Sequence, residues 1–180
     1  MLFTETKLKG AFLIGIQKLE DERGFFARTW CDHEMAEHGI NVHIVQANTS
    51  LNLKKGTLRG MHFQKSPYEE AKLVRCIRGA IYDVIVDLRT GSPTFKQWFG
   101  VELTADNYKM LFIPEHFAHG FITLEDNSEI TYMMSQFYKP GYDAGFRWND
   151  PAFNINWPVE VAVISEKDNN HPDFNENNLL

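Results

Sequence analysis

Two cysteines in 180 residues, Cys31 and Cys76, are too few for a disulfide framework and point to a chain held together by packing in a reducing environment. No apolar run approaches the ~20 residues that a membrane-spanning helix needs. Nor does a basic stretch leading into an apolar one open the chain, so a cytoplasmic location is expected. A basic excess is missing too, since 18 Lys and Arg stand against 24 Asp and Glu for a net charge of -6. General binding to nucleic acid or to a membrane surface wants the opposite balance, so neither partner is expected and any arginine cluster must serve a local purpose. Internal repeats and low-complexity linkers are also absent.

What is present is apolar and aromatic: 43% of residues are hydrophobic, with 14 Phe, 6 Tyr and 4 Trp. That is enough for one substantial core and little for two, so residues 1–180 read as a single domain. Only "EKDNNHPDFNENNLL" (166–180) is polar enough to be partly a surface tail. One helix is expected where Asp32 can cap "HEMAEHG" and Gly39 can end it in a left-handed conformation. From Ala80 onward, Ala80, Tyr82, Val84, Val86 and Leu88 alternate with Ile81, Asp83, Ile85, Asp87 and Arg89. This period of two predicts a half-buried strand, with Arg78-Gly79 as the turn of a hairpin before it. Short runs at 99–104, 109–114, 119–125 and 129–138 follow, separated by Asn, Asp, Gly or Pro. The expected class is all-β, an antiparallel double sheet or barrel with a few short peripheral helices.

A polar side chain facing into such a barrel is costly without a partner or a task. His62, Lys72, Asp83, His119 and Tyr132 all sit inside apolar or aromatic stretches and become candidates. Each also has a plainer explanation, such as a core histidine bonded to a carbonyl, a solvated strand end for Lys72, or a packed aromatic for Tyr132. "GTLRGMHFQ" (56–64) is the most pointed stretch. Arg59 and His62 have opposite parity in a regular strand, so both reach one pocket only if Gly60 makes a bulge or bend. In "PEHFAHG" (114–120), His116 reads as part of a turn and His119 as the better pocket residue.

His62, a carboxylate at Glu69 or Glu70, and Gly79 resemble the first half of a cupin metal motif, and "PEHFAHG" its second half. The position two residues after His62, where metal-binding cupins place another histidine, is Gln64, a poor transition-metal ligand. A three-ligand set of His62, His119 and one Glu stays open.

Seven segments carry a wider resemblance: "DERGFFARTW" (21–30), "VQANTS" (45–50), "GTLRGMHFQ", residues 70–95, "IPEHFAHGF" (113–121), "RWNDPAFNINWP" (147–158) and "ISEKD" (164–168). In this order and spacing, over about residues 5–170, they resemble the dTDP-4-dehydrorhamnose 3,5-epimerase family of nucleotide-sugar enzymes. The resemblance implies a cupin-type jelly-roll barrel that uses neither metal nor cofactor, and a homodimer with exchanged N-terminal strands. It implies a dTDP-4-dehydro-6-deoxyhexose substrate whose ring carbons beside the C4 ketone are inverted. By the same resemblance His62 is the base, Asp168 orients it, Lys72 lies near the enolate oxygen and Tyr132 returns a proton from the opposite face. Arg59 and Arg23, the latter from the partner, match diphosphate-holding arginines. Gln46, Asn48, His119 and Lys167 match substrate contacts, and Tyr138 an aromatic stacked on the base. Arg28 in "GFFART" and Asp143 in "GYDAG" depart from the family's usual Glu at positions near the nucleotide, where they bear on base preference. An epimerase acting at C3 alone, a metal-dependent cupin enzyme and a non-catalytic sugar-nucleotide binding module are the competing possibilities.

Overall fold

The computed structural model describes residues 1–178. In chain order the elements are β1 (Leu2–Glu5), β2 (Phe12–Gly15), β3 (Leu19–Asp21), β4 (Gly24–Phe26), α1 (Asp32–Ala36), β5 (Gln46–Asn52), β6 (Thr57–Gln64) and β7 (Lys72–Arg78). They continue as β8 (Ala80–Asp87), β9 (Trp98–Thr104), β10 (Met110–Ile113), β11 (Phe117–Thr123), β12 (Ser128–Met134), β13 (Asp143–Gly145), β14 (Val163–Ile164) and α2 (Glu166–Asn169). Strands dominate, as expected, and pair into two antiparallel sheets ordered β1-β2-β10-β7-β12-β5 and β13-β6-β11-β8-β9. A separate β3-β4 ribbon carries the exposed Phe25 and Phe26.

Three apolar layers hold the sheets. Between them, Val74, Cys76 and Ile130 of the first meet Ile81, Ile85 and Phe121 of the second. The outer face of the second sheet, with Met61, Val84 and Val86, is covered by the later chain through Phe146, Phe153 and Phe174. Over the outer face of the first, Met35 and Ile40 pack on Ile14, Met110 and Phe112. Both cysteines are free, and burial pushes the Cys76 thiol up to about 11, which leaves it an inert core residue.

Three expectations need correction. β8 is buried on both faces rather than half-buried, because its outer residues Val84 and Val86 lie under the C-terminal layer. β7 and β8 form no hairpin: they belong to different sheets. Only Gly79 lies between them, whereas the tightest common hairpin needs two loop residues, so the chain crosses between layers instead. Gly79 makes that step at φ +72°, with no room for a Cβ, which would fall 2.6 Å from Ser128 Oγ. Finally, Asp32 does not cap α1. The capping position is Cys31, and the Asp32 carboxylate accepts the Trp30 indole N–H at 2.6 Å; Gly39 is left-handed as expected.

Of the polar stretch from 166 onward, most side chains are exposed but three anchor it: Asp168 is buried, His171 is largely so, and Phe174 packs on Phe146. Arg147 Nε donates to Asp173 at 2.7 Å and the Phe174 amide donates to Asp150. Residues 179 and 180 of that stretch lie outside the described residues. Among the described residues no helix is long and apolar enough to cross a membrane.

Candidate active site

A cleft of about 400 Å³ opens between the sheets, a volume suited to a small-molecule ligand. One wall belongs to β6 and β11 and presents Arg59, His62 and His119; the other belongs to β5, β7 and β12 and presents Gln46, Asn48, Lys72 and Tyr132. Tyr138, Asp143 and Lys167 line the rim.

Arg59 and His62 share this cleft although their parity in a regular strand is opposite. Gly60 resolves the conflict: it sits at φ +124°, and the β6–β11 register shifts between His119 and Phe121, opposite it. A Cβ at Gly60 would lie 2.5 Å from Gly120 Cα and 2.9 Å from the His119 carbonyl oxygen, so the bend requires glycine on steric grounds as well.

Behind His62 stands Asp168. β14 pairs with β6 in parallel, Val163 against Thr57 and Ile164 against Leu58, which delivers Ser165 as the cap of α2 directly beneath Gly60. Asp168 Oδ1 is 2.7 Å from His62 Nε2, and Oδ2 accepts the Gly60 amide at 3.2 Å. Burial works to raise the Asp168 pKa, but the His62 hydrogen bond and charge and the Gly60 amide outweigh it and hold the carboxyl below its ordinary value. The carboxylate therefore stays ionised and keeps Nε2 of the ring as donor. Nδ1 is left as the free nitrogen.

His119 is held similarly, with Nε2 2.6 Å from Oδ1 of the fully buried Asp83. Across the cleft, Lys72 Nζ pairs with Glu70 Oε1 at 2.8 Å, both side chains being 8% exposed. Gln64 is buried and holds that carboxylate from the other side: Nε2 donates to Glu70 Oε2 at 3.0 Å, while Oε1 accepts the Lys139 amide at 2.7 Å. Arg59 Nε donates to Asn52 Oδ1, and Gln46 Nε2 to Asn48 Oδ1. At the rim Asp143 accepts from Tyr138 Oη and from Lys167 Nζ, at 3.2 and 2.6 Å; Lys167 draws the Asp143 pKa down and its own is raised in return.

The family model for dTDP-4-dehydrorhamnose 3,5-epimerase matches residues 5–176. This chain belongs to that family. The dTDP-4-dehydrorhamnose 3,5-epimerase of Methanothermobacter thermautotrophicus is 44% identical over 97% of this chain and 95% of its own length. The crystal structure of the Bacillus anthracis enzyme, with TDP and PPi bound, has a TM-score of 0.92 at 42% identity, covering 96% of this chain and 99% of that one. The dTDP-6-deoxy-D-glucose-3,5-epimerase of Legionella pneumophila, in complex with dTDP-4-keto-L-rhamnose, has a TM-score of 0.91 at 35% identity, covering 99% and 96%. The family is one of isomerases on the cupin-type fold.

Of the positions that the family resemblance singles out, His62, Lys72, Tyr132, Gln46, Asn48, Arg59, His119, Tyr138, Asp143 and Lys167 all line the cleft, and Asp168 backs it. Arg23 and Arg28 do not reach it from the same chain. Arg23 sits between β3 and β4, 84% exposed and paired with Asp21, and Arg28 pairs with Glu34 at 2.6 Å. His116 is in a turn at φ +63°, as expected. The set of His62, His119 and one Glu is not assembled: Glu70 serves Lys72, Glu69 lies nearest His116, and His119 is taken by Asp83. The donors that do gather are His62, Asp168 and His171. Asp83 as a partner of His119, Glu70 as the partner of Lys72, and His171 were not foreseen in these roles. Asp83 carried a signal, a lone acid on an apolar strand, and Ser165 with Asp168 three residues on has the form of a capping box. His171, between asparagines and a proline, carried none.

Proposed function

We propose that the chain inverts C3 and C5 of dTDP-4-dehydro-6-deoxy-D-glucose to give dTDP-4-dehydro-L-rhamnose, on the route to dTDP-L-rhamnose for cell-surface polysaccharide such as O-antigen. One observation carries it: His62, backed by the buried Asp168, lies on the opposite wall of the cleft from Lys72 and Tyr132.

A C–H bond beside a ketone is weakly acidic, so its inversion needs a base on one face, a charge near the enolate oxygen and an acid on the other face. His62 Nδ1 takes the proton; Asp168 fixes the tautomer and stabilises the imidazolium that forms. Lys72 supplies positive charge to the developing enolate where little water competes. Tyr132 donates from the opposite side, a neutral donor before and a recoverable phenolate after. On this reading proton transfers alone complete the reaction and Lys72 supplies the charge at the enolate, so neither a cofactor nor a metal is called for. Arg59 grips the diphosphate with its planar fork, Tyr138 stacks on the base, and Gln46, Asn48, His119, Asp143 and Lys167 shape the substrate's seat. Arg23 serves a neighbouring cleft in a homodimer that exchanges N-terminal strands, which accounts for an arginine held on an exposed ribbon, and Arg28 bears on base preference. The unit is a single domain over residues 1–180 working in the cytoplasm.

The test is incubation with dTDP-4-dehydro-6-deoxyglucose in D2O with NMR at C3 and C5. Deuterium at both carbons is the expected outcome. Label at C3 alone would reassign the chain as a mono-epimerase, and binding without label would make it a binding module.

A further inference from the structure

The C-terminal segment brings a second imidazole to the dyad. The His171 ring centroid is 5.9 Å from that of His62, with 69° between the ring planes. Its Nε2 is buried without a hydrogen-bond partner and lies 3.9 Å from Asp168 Oδ1, the same oxygen that His62 approaches to 2.7 Å. A buried polar atom left unpaired in this way marks a place where an unseen partner belongs. Gly145 leaves the room for the His171 ring, since a Cβ there would fall 2.8 Å from His171 Nε2.

One nitrogen from each ring and one carboxylate oxygen all lie within 4.8 Å of one another. Two imidazoles and a carboxylate are a donor set that suits zinc and its neighbours in the first transition row. We propose that His62, Asp168 and His171 form a binding site for a zinc-class divalent cation, and that the bound ion silences the catalytic base. This is a different set from the cupin-type ligands His62, His119 and Glu. It uses the back of His62, away from the substrate.

Zinc–nitrogen and zinc–oxygen bonds of about 2.1 Å place tetrahedral donors about 3.4 Å apart. The 2.7 Å pair must open slightly and the 3.9 Å pair must close, the larger of the two adjustments falling on His171, which follows α2. The His62 side chain is 41% exposed against 8% for Asp168 and 12% for His171, so the ion's way in is past the His62 ring. When the ion takes the Nε2 lone pair, the ring proton that Nε2 had donated to Asp168 moves to Nδ1. Nδ1, the nitrogen that would accept the sugar's proton, then already holds one. The inhibitory consequence rests on His62 being the base; the binding itself does not.

The experiment is a titration of the chelator-stripped full-length chain with Co2+, read by its visible ligand-field absorption. The expected result is saturation at one ion per chain with the strong bands of four-coordinate cobalt, and displacement by Zn2+. His171→Ala, with an unchanged circular dichroism spectrum, should bind about 100-fold more weakly. Should the alanine variant unfold, His171→Asn removes the ligand at nearly equal size and gives the same comparison. One equivalent of Zn2+ should abolish substrate deuterium exchange, and EDTA should restore it. Absence of saturable cobalt binding, equal binding by both His171 variants, or full turnover with zinc bound would each overturn the proposal. Cobalt absorption needs no turnover, so a failed epimerase assignment is seen separately from a failed metal site.

Discussion

His62 and Asp168, 106 residues apart in sequence, meet at 2.7 Å because one carboxylate does two things: Oδ1 faces the imidazole and Oδ2 takes the amide of Gly60, the residue that bends β6 toward the cleft. Side-chain orientation and backbone geometry around His62 are thus set by the same group. Asp168→Asn should lower kcat by about 10³-fold or more with a smaller change in KM, because an amide neither fixes the tautomer nor stabilises the imidazolium. Tyr132→Phe should keep deuterium exchange at the His62 face while losing inversion. NMR of the two variants in D2O separates these outcomes, and inversion by Tyr132→Phe at the parent rate would remove Tyr132 as the acid.

Gly60→Ala should cost at least about 2 kcal/mol of stability, combining a left-handed φ with backbone contact at 2.5 Å. Turnover should fall with it, as Arg59 and His62 can no longer share a cavity. Urea unfolding and a kinetic assay check both; an alanine variant with unchanged stability would mean that the strand does not need the bend.

Glu70→Gln leaves Lys72 as a buried charge without its counter-ion. A loss of about 3 kcal/mol is expected, measurable as a lower urea midpoint at unchanged slope. A Lys72→Met, Glu70→Gln double variant should recover much of that stability without recovering activity, since charge at the enolate oxygen is gone.

Asp87 gives the fold an acid limit. Burial raises its pKa, but hydrogen bonds from Arg89, Ser92 and Thr94 outweigh that and hold it at about 2, against an ordinary 3.8. A depressed folded value contributes stability that is complete above the ordinary value and lost as pH falls through the folded one. The shift is worth about 2 kcal/mol, disappearing between roughly pH 4 and pH 2. Asp87→Asn should be less stable at neutral pH and should show a shallower decline over that interval, read from denaturant midpoints at each pH. An identical slope would assign the acid sensitivity elsewhere.

The polar residues of the cleft walls were legible one by one because burying them is costly: His62, Lys72, Asp83, His119 and Tyr132 interrupt apolar strands whatever their partners. The bend at Gly60 was legible from parity alone. Partners were not, because His62 with Asp168 and His119 with Asp83 depend on strand pairing that local pattern does not encode. A period of two also fails where both faces are covered, which is why β8 looked half-exposed and paired with β7. His171 escaped notice because its neighbours are polar and only Gly145, on a distant strand, gives it a buried place.

The parallel pairing of β14 with β6 also has a consequence in time. Translation delivers His62, Lys72 and Tyr132 well before it delivers Ser165 and Asp168. A nascent chain carries an unoriented imidazole at position 62 until its closing segment docks beside Thr57 and Leu58. If His62 is the base, competence for chemistry is thereby coupled to completion of synthesis: a chain that ends before Asp168 lacks the carboxylate that orients the ring.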